Sequence, residues 1–262
     1  CKAHANVNLQ NLSGFDARSK ATNQNRADIV KVILRYRADL QSCCAQPLNI
    51  AAKYNLPDLV ELLLAHRAPV DIEAASGRTP LIQAVLSGSY EVVQILLQAK
   101  ASSTRNKKAQ GEMMRDVEGN SALDAAIQYG HTEALTLLCA MKADCNAIGQ
   151  EGFPPIFHAS LYGNAEIAEI LCDFRADVTI STGIDYQDAA KISPQKTSLW
   201  VAATAGHEAI VNTLLKAKSQ VQIDDIHAAI FSGHSSIHGQ LISARRAADF
   251  TDHAAFSART SL

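Results

Sequence analysis

The sequence predicts an all-α solenoid of helix-turn-helix units, stacked in a row and joined by hairpin loops. Three observations lead there. One pattern recurs along the chain: a small apolar cluster, a Gly or Asn, a pair of bulky aliphatics, then a basic residue and Ala. The recurrence also keeps step. Asn55 to Gly88 and Gly130 to Gly163 are each 33 residues, while Gly88 to Gly130 is 42 and Gly163 to Gly206 is 43, the same period with insertions of 9 and 10. Finally, 47% of residues are hydrophobic but only 5% are aromatic, a mixture that fills many thin helices rather than one thick core.

Each element has a local reason. A degenerate unit is expected over 16–41, with Ile29, Val30, Ile33 and Leu34 marking its second helix. Full units are expected at 46–75, 78–106, 120–149, 153–182 and 196–222. Thr79 ahead of Pro80 offers an N-cap, and Pro at the first helical position costs no hydrogen bond. Ala pairs such as Ala51-Ala52 and Ala125-Ala126 keep the first helices thin. A Gly then ends each first helix as a left-handed cap. Glu91, Glu133 and Glu166 stand in the first turn of the second helices, where the helix dipole favours them. The aliphatic pairs Leu63-Leu64, Leu96-Leu97, Leu138-Cys139 and Leu171-Cys172 face the neighbouring unit. No unit can bury its own apolar face, so stability comes from stacking.

The shortened unit at 224–246 reads as a C-terminal cap. Ser235, Ser236, His238, Gln240 and Ser243 make its second helix more polar than its predecessors around Ile237, Leu241 and Ile242. The tail at 247–262 lacks the pattern and offers Phe250 and Phe256 as apolar contacts.

Two signatures in register carry a family resemblance. Thr79-Pro80-Leu81-Ile82-Gln83-Ala84, Ser121-Ala122-Leu123-Asp124-Ala125-Ala126 and Pro154-Pro155-Ile156-Phe157-His158-Ala159 precede the Gly, and Gly130-His131-Thr132-Glu133 leads on to Lys142-Ala143-Asp144. Together they resemble the ankyrin repeat, in five well-matched units with weaker ones at the ends. On the same resemblance, Ala5-Asn6-Val7-Asn8 closes a partial repeat at 1–8, so the chain reads as starting inside a repeat, as a fragment or processed product would. His131, His207 and His234 fall where the family places a structural His. The resemblance implies protein partners, no cofactor, and binding through hairpin tips and the concave face of the first helices. Tyr54, Leu86, Tyr129, Leu161 and Tyr162 fall on that face.

The chain departs from the family in two ways. Where the repeat has Gly at the end of the second helix, His4, Arg37, Arg67, Lys100, Lys142, Arg175 and Lys218 stand instead. Either a strained left-handed backbone is accepted there or the helix ends differently; a cation at a helix C-terminus offsets part of any strain. Two joins are also long. One carries Lys107, Lys108, Met113 and Met114, the other Tyr186 and Ile192. They are expected to project from one edge about 20 Å apart, as paired binding fingers.

Catalysis finds no support in the sequence. It has no phosphate-binding Gly loop, HExxH, GxSxG or kinase signature set. The six cysteines form no CxxC pair. Cys139 and Cys172 replace Leu and read as buried free thiols, pointing to a reducing, intracellular compartment, cytoplasmic by default. Trp200 reads as core. A net charge of −2 and the lack of interleaved aromatics argue against nucleic acid, and no stretch suits membrane insertion. The leading role is a non-catalytic scaffold or adaptor. A permanent subunit of a large assembly and the targeting domain of a larger enzyme are the alternatives.

Overall fold

A computed structural model of the chain describes residues 9, 11–12, 16–35, 47–99, 115–117, 119–149, 152–180 and 196–260, with side-chain surroundings given as far as residue 248. The chain divides into two compact halves, Cys1–Asp144 and Cys145–Leu262. Each is built from antiparallel helical pairs, and no strand is present among the described residues.

The N-terminal half holds four pairs: α1 (Ala17–Asn23) with α2 (Ala27–Leu34), α3 (Pro47–Lys53) with α4 (Pro57–Ala65), α5 (Pro80–Leu86) with α6 (Tyr90–Gln98), and α7 (Ala122–Tyr129) with α8 (Thr132–Ala140). The C-terminal half holds three: α9 (Pro155–Tyr162) with α10 (Ala165–Asp173), α11 (Ser198–Ala205) with α12 (Glu208–Lys216), and α13 (Ile223–Phe231) with α14 (Ser235–Thr260). Within each half the first helices pack on first helices and the second helices on second helices. The core lies between these two layers. Leu48, Leu81 and Leu123 fill it from the first helices, and Leu59, Leu63, Val92, Leu96, Leu135 and Leu138 from the second, all buried. The Ala pairs are buried where neighbouring first helices approach.

Within the degenerate segment expected over 16–41, the described residues 16–35 form a helical pair, α1 and α2. Val30, Ile33 and Leu34 are buried as expected, while Ile29 turns outward. Asp16 caps α1, its Oδ1 accepting from the Ser19 backbone N–H and hydroxyl, both at 2.8 Å. The same carboxylate pairs with Arg18, 2.7 Å from Nε and 2.5 Å from Nη2, and both side chains are fully buried.

The caps follow the chemistry of the N-cap residues. Thr79 accepts from Ile82 N–H at 3.3 Å and Thr197 from Trp200 N–H at 3.1 Å. Ser121 and Asp124 form a reciprocal capping box, and Arg115 braces it through Asp124 Oδ2 at 2.9 Å. Asp225, buried in the first turn of α13, accepts from Gln222 N–H at 2.7 Å and from the Thr197 hydroxyl at 3.3 Å, tying two first helices together. Burial raises its pKa, and these two hydrogen bonds oppose that rise.

Second helices end in the left-handed region. Arg67, Lys142, Arg175 and Lys218 take φ of 63°, 66°, 63° and 65°. His4, Arg37 and Lys100 lie outside the described residues. Behind each of the four cations the next N–H reaches back to close the helix end, as Ala176 N–H does to Leu171 O at 2.9 Å. All four side chains are exposed. Arg175→Ala keeps the strain and removes the cation, so it should lower stability by about 0.5 kcal/mol, whereas Arg175→Gly loses both and should stay within roughly 0.5 kcal/mol of the parent. Urea denaturation of the two variants compares them directly.

Two side chains sit differently from expectation. Trp200 is half-buried instead of core, with Lys196 Nζ 4.7 Å over its ring. Cys172 is half-buried, and burial beside Asp173 and Glu169 raises its thiol pKa, whereas Cys139 is buried. The tail drawn at 247–262 continues α14 as helix to Thr260.

Candidate protein-binding surface

The end of a first helix places its last side chains at a fixed spot. In each pair the chain leaves that helix through a left-handed residue: Asn25 (φ 52°), Asn55 (53°), Gly88 (64°), Gly130 (72°), Gly163 (75°), Gly206 (79°) and Gly233 (78°). The residue just before is therefore presented alike in pair after pair. Tyr54, Tyr129 and Tyr162 hold that position and are 51%, 57% and 56% exposed. Leu161, one position earlier, is 40% exposed, while Leu86 is half-buried.

The rings are partly pre-set. Lys53 Nζ lies 5.5 Å over the Tyr54 ring. Tyr129 stacks on His131 at 6.2 Å, and Tyr162 on His158 at 6.1 Å, with Phe153 edge-on to His158 at 5.8 Å. An imidazole or ammonium against the ring limits its rotamers, which lowers the ordering cost of a contact. A half-exposed Tyr leaves on the order of 100 Å² uncovered, worth roughly 2 kcal/mol if a partner covers it. Tyr54, Leu86 and Tyr129 belong to the N-terminal half, and Leu161 and Tyr162 to the C-terminal half.

The finger residues Lys107, Lys108, Met113, Met114, Tyr186 and Ile192 lie outside the described residues. At the described root of the first loop, Arg115 donates to Gly119 O at 2.6 Å. Between pairs, tight turns recur: Ala74 N–H to Arg78 O at 2.9 Å, Asp116 N–H to Asn120 O at 3.0 Å, and Gly149 N–H to Phe153 O at 3.0 Å. These are the expected hairpin tips, and Arg78 meets Asp116 across two of them at 3.0 Å.

The three histidines have a structural role that their spacing alone does not reveal. A Cβ built on Gly88 would lie 2.9 Å from Cε1 of His131, on Gly163 2.7 Å from His207, and on Gly206 2.5 Å from His234. Each ring thus lies on the Gly of the preceding pair. His234 Nε2 also donates to the Thr204 carbonyl at 3.2 Å. Among the described residues no group of three or more His, Cys, Asp or Glu is arranged to hold a metal, and no helix is long and apolar enough to cross a membrane.

A family model described as ankyrin repeats (3 copies) matches residues 19–110, 48–149, 106–182 and 142–225. The chain is an ankyrin-repeat protein. Among relatives of this ankyrin-repeat chain, mouse Rabankyrin-5 is 27% identical over 175 residues, covering 67% of this chain and 14% of that protein. Mouse Ankyrin repeat domain-containing protein 63 is 29% identical over 152 residues, 56% of this chain and 35% of its own length. The chain therefore spans about a seventh and a third of these relatives. The solved ankyrin repeat domain of Bcl-3 superimposes with a TM-score of 0.66 at 22% identity, covering 79% of this chain and 88% of that one. Ankyrin repeats are in general protein-protein interaction modules, and this array shares that fold.

Proposed function

We propose that the chain is a non-catalytic scaffold that captures a protein partner on the exposed ends of its first helices, with the two long inter-repeat loops as additional contacts. One observation carries the reading: Tyr54, Tyr129 and Tyr162 stand at the same repeat position and each is more than half exposed. Tyrosine supplies contact area and a hydroxyl with few rotors to freeze, which suits an interface. Loop residues Lys107, Lys108, Met113, Met114, Tyr186 and Ile192 contribute charged and apolar side chains to the same task.

The test is affinity capture with the intact chain, a Tyr54→Ser/Tyr129→Ser/Tyr162→Ser variant, and a variant whose two long joins are cut to ordinary hairpins, with retained proteins identified by mass spectrometry. The expected result is a partner held by the intact chain and lost with the tyrosine variant at unchanged helical circular dichroism. Loss only with the shortened loops would transfer recognition to the fingers. Retention by both variants would defeat the proposal.

A further inference from the structure

The seams of the N-terminal half are not filled alike. At the seam between α5/α6 and α7/α8, the residue after one left-handed corner, His131, lays its ring on the corner of the pair before, Gly88. The same register sets Ser89 against Asn55 at the preceding seam. Asn55 keeps the left-handed backbone, at φ 53°, but brings a Cβ to the corner where Gly88 leaves room for a ring. Ser89 is 2% exposed and far smaller than an imidazole. It stands at the N-cap of α6 without making a cap hydrogen bond, and its buried hydroxyl has no hydrogen-bond partner. The His131 ring also leaves Nε2 without a hydrogen bond, yet it holds its seam by contact with Gly88 and by stacking on Tyr129. Ser89 does neither. Beside it the Ser87 hydroxyl stands 3.5 Å from Ala52 O, the limit of a hydrogen bond, and donates instead to Gln83 O of its own helix at 2.5 Å.

We propose that the Asn55–Ser89 seam is a joint at which α1 to α4 part from α5 to α8. Opening there brings water to the Ser89 hydroxyl, which has no partner while the seam is closed. No ring has to leave a notch. The apolar core opposes the opening, because Leu59 and Val92 are both buried in it, so the closed seam prevails and the open one is a minor state. Pairs cut off from their neighbours bury too little to persist, so opening at the joint exposes the amides of α3 and α4. The joint also divides the partner surface proposed above. Tyr54 lies on the side that comes away, and Leu86 and Tyr129 on the side that stays. A partner spanning both would hold the joint shut, but the joint itself does not depend on partner capture and is read in the free chain.

Native-state hydrogen exchange of the full chain, followed by mass spectrometry, tests this. The expected result is exchange in α3 and α4 roughly tenfold or more faster than in α7 and α8. Asn55→Gly/Ser89→His copies the Gly–His pair of the next seam, so it should slow α3 and α4 by roughly tenfold and leave α11 to α14 unchanged. Ser89→His alone should speed them, because the ring then meets the Asn55 Cβ. The double variant should therefore slow exchange by more than the product of the two separate factors. If Ser89→His alone fails to fold, the double variant against the parent still decides, with circular dichroism confirming its helical content. Equal protection of α3–α4 and α7–α8 in the parent overturns the proposal. A double variant that exchanges as fast as the parent overturns it equally, since plain fraying at a chain end would ignore the new ring. Neither result bears on the tyrosine surface, which the capture experiment tests separately.

Discussion

Gly206→Ala should lower stability by roughly 2–4 kcal/mol, while the same substitution at Gly233 should cost only about 1 kcal/mol. Both residues have left-handed backbones, at φ 79° and 78°, so both pay the same strain for a Cβ. They differ in what surrounds that Cβ. At Gly206 it would meet His234 at 2.5 Å; at Gly233 it meets nothing within 4 Å. The imidazole would have to leave the notch and give up its hydrogen bond to Thr204 O, and displaced packing of this kind typically costs 1–3 kcal/mol. In a His234→Ala background the Gly206→Ala penalty should fall to about 1 kcal/mol. Guanidinium denaturation followed by circular dichroism measures all four proteins. Equal costs at Gly206 and Gly233 would show that the ring yields without resistance.

Asp16→Ala should cost about 3–5 kcal/mol, the range for stranding one partner of a buried ion pair. The substitution removes the α1 N-cap and leaves the fully buried Arg18 guanidinium without its carboxylate. Asp16→Ser/Arg18→Met should recover most of the loss, because Ser still caps the helix and Met fills the volume without charge. The damage should be local at first. Hydrogen exchange is expected to accelerate across α1 and α2 before it does in α5 to α8, because each pair of a repeat array depends on its neighbours alone. Uniform loss of protection along the chain would contradict that.

The two sites differ in how far they could be foreseen. The helical pairs, the Thr and Ser caps and the Gly ends repeat with the period, so self-comparison exposes them. Asp16 and Arg18 sit in a segment whose repeat signature has decayed, and a pair two residues apart looks like ordinary surface charge until both are seen to be buried. The His234–Gly206 contact joins consecutive pairs, and sequence spacing says which residues recur but not which face each other. Whether Arg67 or Lys142 would accept a positive φ depended on how the helix ends, a matter of backbone hydrogen bonds. Exposure of Ile230 and Phe231 on α13 was hidden for a different reason. Periodicity marks an apolar stripe without saying whether anything lies on it. Trp200 was misplaced for the converse reason, since a neighbouring Lys196 can cover an aromatic ring as well as a core can.

The Gly–His lock has a consequence for how such a chain changes length. Its two components come from consecutive pairs, and only some pairs carry the ring: excising α11 and α12 would set Gly163 against His234, whereas duplicating α9 and α10 would set Gly163 against Asn164. Lengthening or shortening by a whole period therefore keeps the lock only where the pair that follows the new seam brings a His. At Gly233, where nothing lies within 4 Å of the Cβ position, the same left-handed corner stands without a ring.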